Sequence, residues 1–306
     1  MTAVAALVQV LGGLALAPLL PGAIQSLKAR LQGRRGPSPL QPYRELRRLW
    51  GKSLADPQPT TIVYRLAPCL VAAATALALL LLPIGGLAPD WSLGNDALVV
   101  VGLLALARFA LAASSWDTGS GFALMGSSRD LTLAAFAEAL LLLAIVLAAL
   151  PAASTDLVAM TGAANGSAPW GEPAHWCAGA AFALVVLVET GRQPIDNPDT
   201  HLELTMIHEG PLLEYAGRDL ALLEWSAAAR HWIVLVLAAE LFLPHWGGFG
   251  AQLACLAAGV AALCVALAVT ETAQAKMRIL RAPGLLMGGC LLALVGLATW
   301  LVGGSL

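Results

Sequence analysis

The chain has 306 residues, 58% of them apolar and only 12% charged, with a mean hydropathy of +0.77. A soluble chain of this size covers itself with about twice that share of charge. The composition therefore excludes soluble globular, disordered, collagen-like and disulfide-rich secreted classes, and indicates a multi-spanning membrane protein. The net charge of −2 excludes nothing by itself.

A spanning helix needs about 20 mostly apolar residues. In chain order such stretches fall near 3–27, 64–85, 96–114, 131–150, 176–190, 227–243, 252–270 and 283–301. The expected fold is an all-α integral membrane protein, one domain over 1–306, with about eight transmembrane helices. The first stretch has no basic residues ahead of it and many behind, the pattern of an N-out span rather than a cleaved signal. Lys and Arg are absent from 86–95, 151–175, 244–251 and 302–306 and concentrated in the alternate segments. By the positive-inside rule the basic loops face the cytoplasm and both termini lie outside. Trp91, Trp116, Trp176, Trp225, Trp246 and Trp300 fall near expected span ends, as interface anchors do. The segment 151–175, rich in Ala, Gly, Ser and Pro, reads as a plain connector.

Two cytoplasmic segments carry most of the ionisable residues. From Lys28 to Arg65 there are nine basic and two acidic residues, a net of +7. Within the loop 28–63, YRELRRLW reads as a short amphipathic helix with Leu46, Leu49 and Trp50 on one face. Such a loop can rest on anionic headgroups. The second loop, 189–226, holds eight carboxylates opposed by Arg192 and Arg218, a net of −6. Two resolutions stand side by side: this loop packs on the basic one, or some of its carboxylates carry protons.

Arg108, Glu138, Glu240 and Glu271 lie in or beside spans, where ionisable residues are costly and face a polar interior. Glu138 is the leading candidate for an intramembrane proton relay, with pairing to Arg108 as the alternative. Glu240 reads as close enough to the outer end to reach water, and Glu271 and Lys276 as just past an inner end. The five cysteines, Cys69, Cys177, Cys255, Cys264 and Cys290, show no C-x-x-C spacing and read as packing residues. His208-Glu209 is not H-E-x-x-H, and His201 and His208 have no third ligand nearby, so no metal site is expected. No P-loop or G-x-G-x-x-G appears, and no nucleic-acid partner is indicated.

Three blocks carry a family resemblance. Glu189-Thr190-Gly191-Arg192-Gln193-Pro194-Ile195-Asp196-Asn197-Pro198, then Glu203-Leu204 and Glu214-Tyr215, resembles the signature of the arm-junction membrane protein of complex I (the NADH–quinone oxidoreductase H-subunit). Its relatives in membrane-bound [NiFe] hydrogenases share that signature. Arg34-Arg35-Gly36-Pro37 with Leu40-Gln41-Pro42, and Gly126-Ser127-Ser128-Arg129 with Glu138, resemble two further blocks of the same family. Ile195, Asp199, His201 and Leu202 depart from the complex I pattern, and the wording here is similar to the formate hydrogenlyase and energy-converting (group 4) hydrogenase branch. The departures fall in the loop that lines the quinone chamber.

The resemblance implies a non-catalytic membrane subunit linking a peripheral redox arm to a membrane arm. It implies a proton pathway at Glu138, Glu189, Arg192, Asp196, Glu203, Glu209 and Glu214, and docking of the arm at Arg34, Arg35 and Gln41. It implies that this chain binds no cofactor, with the [NiFe] centre and iron–sulfur clusters in partner subunits. Those partners would be the hydrogenase large and small subunits, an iron–sulfur protein and antiporter-like membrane subunits. The setting would be the lipid bilayer of a bacterial or archaeal cytoplasmic (inner) membrane. The alternative is a quinone-chamber subunit of a respiratory complex I.

Overall fold

The computed structural model describes residues 12–85, 94–166, 168–196 and 207–303. Glu203, His201 and Trp91 lie outside the described residues. Apart from one isolated bridge between Asp96 and Asp156, every regular element described is helical. The helices are α1 (Leu19–Leu31), α2 (Gln41–Trp50), α3 (Ile62–Leu81), α4 (Ala97–Thr118), α5 (Gly121–Ala149), α6 (Leu157–Ala164), α7 (Pro173–Glu189), α8 (Gly217–Phe242), α9 (Phe249–Ala273) and α10 (Ala282–Gly303). Six of them, α3, α4, α5, α8, α9 and α10, are long and apolar enough to cross a membrane, and α7 is a shorter apolar helix. The chain is an all-α, multi-pass membrane protein.

The helix starts are fixed by short polar side chains. Thr61 accepts the Val63 N–H, while the Asp117 carboxylate at the end of α4 accepts the N–H groups of Thr61 and Tyr64 at 2.8 and 3.1 Å. Orphan donors at the first turn of α3 are thereby satisfied from a neighbouring helix. Asp96 caps α4 and Asp156 caps α6 in the same way.

The segment 151–175 is not a plain connector. It contains α6 and a helical turn at Ala168–Gly171, and its backbone bonds to the start of α4 through Ala97 N–H to Thr155 O and Leu157 N–H to Asn95 O. Its two carboxylates, at Asp156 and Glu172, stand at helix N-caps, a signal that composition alone hides.

Two helices start ten residues earlier than the apolar runs suggest. Helix α5 starts at Gly121 rather than 131, and α8 at Gly217 rather than 227. A hydropathy reading stops at Arg129 and Asp130, or at Glu224, because charge is costly in lipid. The backbone continues helical in both: Asp130 is buried against other protein, whereas Glu224 is exposed beside the cavity described below. In α2 the expected apolar face is only half realised: Leu49 is buried, whereas Trp50 is exposed.

Helix α3 packs on α4 and α8, α5 on α4 and α7, α10 on α7 and α5, and α9 on α1 and α8. The centre of α8 is the most enclosed part, with Ile233 through Leu241 buried without a break. By contrast α9 and α10 leave Val265, Val269, Leu291, Val295 and Leu301 exposed on the outside of the bundle.

Candidate functional site

Two carboxylates of the acidic loop, Glu189 and Asp196, meet cations outside the basic loop. Glu189, the last residue of α7, accepts two hydrogen bonds from Arg108 of α4 at 2.7 and 2.8 Å, and Arg230 of α8 stands 3.8 Å away. Arg108 also donates to Glu138 of α5 at 2.9 Å and lies 3.7 Å from Asp130. One buried guanidinium thus gathers three carboxylates from two helices of the bundle. The two loops do touch: α2 packs on α8, and Gly217 sits against the backbone of Lys52 and Ser53.

A second cluster follows along the loop. Arg192 donates to Glu271 at 2.9 Å, and Lys28 of α1 approaches the other oxygen of Glu271 at 3.2 Å. Asp196 accepts from Lys276 at 2.8 Å. Glu271 is therefore inside α9 and buried, not past its inner end; a carboxylate is tolerated there because two cations meet it. Glu240 is also buried, at 2% exposure, and does not reach bulk water.

Glycines let the loop come this close. A Cβ on Gly126 of α5 would stand 2.7 Å from the Cα of Gly210, so bare backbones meet there. Gly191 has φ of +60°, and a Cβ there would lie 2.6 Å from the His208 ring. The result places His208 Nδ1 3.1 Å from Asp130. Tyr215 stacks on Tyr64 with centroids 4.4 Å apart, and Tyr64 donates to the backbone carbonyl of Glu214 at 2.7 Å. In the Glu214-Tyr215 pair, therefore, the tyrosine and the carbonyl anchor the loop.

A cavity of about 240 Å³ opens among these groups, lined by Arg108, Asp130, Glu189, Arg192, Arg230 and His231, with Glu209 at its edge. Of the expected pathway residues, the structure joins Glu138 and Glu189 through Arg108 and brings Glu189, Arg192 and Glu209 to one cavity. Asp196 belongs to a neighbouring ion pair with Lys276. Glu203 lies outside the described residues. Asp130, Arg230 and His231 join the site unannounced: Asp130 lies just ahead of the stretch at 131–150, and Arg230 and His231 lie in the first turns of the stretch at 227–243. Arg34, Arg35 and Gln41 are not part of the cluster. The two arginines are exposed on the basic loop, and Gln41 donates to Glu45 at 2.8 Å on α2. Among the described residues no group of three His, Cys, Asp or Glu is placed to hold a metal ion.

The arrangement can hold and pass charge. Guanidinium groups hold the carboxylates in place, and His208 stands beside them at Asp130. Burial pulls its imidazole down, but the hydrogen bond to Asp130 and the charge of that carboxylate outweigh it, so His208 keeps its proton above its ordinary range. A raised histidine stabilises the fold fully below the unfolded value of about 6.5, and the contribution is lost as pH climbs through the folded value. Melting curves of the purified chain should therefore show wild type losing stability toward mildly alkaline pH, and His208→Asn showing a flatter profile. Parallel profiles would remove the pair as a pH-sensitive contact.

A family model described as NADH dehydrogenase matches residues 3–302. Hydrogenase-4 component C of Escherichia coli (strain K12) is 32% identical over 308 residues, covering 97% of this chain and 96% of that protein. Formate hydrogenlyase subunit 4 of the same organism is 32% identical over 293 residues, covering 89% and 90%. The NADH-quinone oxidoreductase H-subunit of Verminephrobacter eiseniae (strain EF01-2) is 26% identical over 224 residues, covering 68% and 59%. Among solved structures, a chain of the membrane-bound sulfane sulfur reductase, an archaeal respiratory membrane complex, superposes with a TM-score of 0.81 at 20% identity. That likeness covers 96% of this chain and 98% of the other, and it bears on the fold alone.

Proposed function

Since the chain belongs to the NADH dehydrogenase family, we propose that it is the membrane-anchoring and proton-coupling subunit of a membrane-bound [NiFe] hydrogenase complex of the formate hydrogenlyase kind. The observation that carries this reading is the Arg108 cluster. It ties the Glu189 end of the acidic loop, where a peripheral arm would sit, to Glu138 on α5. Glu138 is one-third exposed at the bundle surface while Glu189 is sealed. A proton or a change of field arriving at the loop would thus be handed outward at Glu138, toward a neighbouring membrane subunit.

In this reading the partners are the hydrogenase large and small subunits, an iron–sulfur protein and antiporter-like membrane subunits, in a bacterial or archaeal inner membrane. The redox centres belong to those partners, and this chain supplies charge and anchorage. The exposed apolar faces of α9 and α10 suit burial in lipid or against membrane partners. The likeness to the complex I H-subunit keeps a quinone-chamber role as the second reading.

The test is to tag the chain, purify it from native membranes in mild detergent, and assay metals and hydrogen evolution. Nickel with hydrogenase activity is the expected outcome. Iron without nickel, with quinone reductase activity, would replace it by the second reading. Docking is tested separately. Arg34 and Arg35 are exposed, and their only described side-chain partner is Gln32, bonded to Arg34. Reversing both to Glu should release the peripheral subunits from membranes while leaving this chain folded and inserted. Full retention would exclude these two residues from the docking surface.

A further inference from the structure

Five carboxylate residues are buried among the described residues: Asp130, Glu189, Asp196, Glu240 and Glu271. Four have a lysine or arginine within 4 Å. Glu240 is the exception. Its partners are the Gly85 N–H, which donates to Oε1 at 2.9 Å, and His245. It lies at the end of α8 opposite to the Arg108 cluster, ten residues beyond Arg230 and so about 15 Å along the helix. By the distribution of basic residues this is the outer end.

His245 is itself buried, at 4% exposure. Its Nδ1 is 2.9 Å from the Leu243 carbonyl, so Nδ1 carries the hydrogen and Nε2 presents a lone pair. That Nε2 has no hydrogen-bond partner and stands 3.9 Å from Glu240 Oε2. Two acceptors thus face each other at a separation too long for a direct hydrogen bond and with no hydrogen between them. His245 also lines a cavity of about 380 Å³ with Asn165, Gly166, Trp170, Pro244 and Trp246, and Asn165 Oδ1 is likewise buried without a partner.

We propose that Glu240 and His245 form a proton-holding site at the outer end of the bundle, loaded from the outer aqueous phase through the cavity at Asn165, Trp170 and Trp246. With Glu240 ionised and His245 neutral, the site carries one uncompensated negative charge in an apolar setting, which is costly. Taking up one proton makes it neutral. The proton passes from a hydronium of the outer phase, through the cavity that His245 lines, to His245 Nε2 or Glu240 Oε2, leaving a water behind, and no electron moves. Burial pulls the His245 ring down despite its bond to Leu243, in keeping with a neutral imidazole at rest.

Among the described residues, no other titratable side chain is hydrogen-bonded to or ion-paired with Glu240 or His245. Helix α7 and its N-cap contribute His175, whose ring lies 5.7 Å from Phe242, and Glu172. Asp96 and Asp156 are engaged as helix caps. The outer turns of α3, α6 and α9 add no carboxylate, histidine or basic residue among the described positions. The proposal does not depend on which peripheral complex the chain serves.

The test uses the full-length chain in lipid nanodiscs, followed by infrared difference spectroscopy from about pH 5 to about pH 9. The expected result is a protonated-carboxyl band that titrates in this range and is lost in Glu240→Gln. His245→Asn should shift its midpoint by about one pH unit or more. Asn165→Leu, which removes the polar wall of the cavity, should slow hydrogen–deuterium exchange of the band with its midpoint unchanged. A band that stays at constant strength across the range would mark Glu240 as a structural tie for Gly85 and overturn the proposal. An unmoved midpoint in His245→Asn would overturn the pair. Should Glu240→Gln fail to fold, the His245→Asn and Asn165→Leu comparisons, made with Glu240 intact, still decide.

Discussion

Replacing Arg108 by Gln is expected to cost about 3–5 kcal/mol, the loss seen when one partner of a buried ion pair is removed. The figure is large because Arg108 is 4% exposed and serves Glu189, Glu138 and Asp130 at once. Domains hold together by only about 5–15 kcal/mol, so the variant should accumulate poorly in membranes and melt well below wild type in detergent. Arg108→Lys should recover only part of this, since an ammonium is a point charge and cannot reproduce the fork toward Glu189 and Glu138. Combining Arg108→Gln with Glu189→Gln should restore stability relative to the single variant, because a carboxylate is then no longer stranded. A single variant that melts like wild type would show that the cluster is solvated and dispensable.

Glu271→Gln is the second large effect. Glu271 is the carboxylate shared by Arg192 of the acidic loop and Lys28 of α1, and its side chain is fully buried. Removing its charge leaves two buried cations facing a neutral amide, again about 3–5 kcal/mol. The damage should be local. Helix α9 packs mainly on α1 and α8 and leaves much of its surface exposed, so it is the element to detach. Proteolytic cleavage in the 274–281 segment should accelerate well before global melting. Cleavage at the wild-type rate would mean that apolar packing alone holds α9.

The spans and their type were legible because apolar length is a one-dimensional signal. Each of the eight stretches read from hydropathy overlaps a described helix, and six of those helices are long and apolar enough to span; α5 and α8 start ten residues earlier than their stretches, and the first stretch is matched only in part, since residues 1–11 lie outside the described positions. What escaped was anything that depends on which neighbour a charge meets. Asp130 and Glu224 fall just ahead of the apolar stretches at 131–150 and 227–243, yet α5 and α8 carry both on regular helix. Glu271, just past the stretch at 252–270, read as lying beyond the membrane, although Lys28 and Arg192, far away in sequence, make its burial tolerable. The Arg108–Glu138 pairing was readable as an alternative, since both are intramembrane ions of opposite sign. That Glu189 would take the larger share of Arg108 was not, because it requires the end of α7 to meet the middle of α4.

The unbroken apolar stretch of α8, from Ile233 to Leu241 but for Glu240, has an electrical consequence. Below it lies a layer dense with fixed ions, and above it a water-accessible cavity. A polar layer on one side and a cavity on the other shorten the apolar path between them, so the voltage gradient is steeper across this segment than across uniform hydrocarbon. A charge displaced between the Arg108 layer and Glu240 works against a share of the full potential, which is about 2.3 kcal/mol per elementary charge per 100 mV. The helix thus places the steepest part of the field within one protein segment rather than spreading it over the thickness of the bilayer.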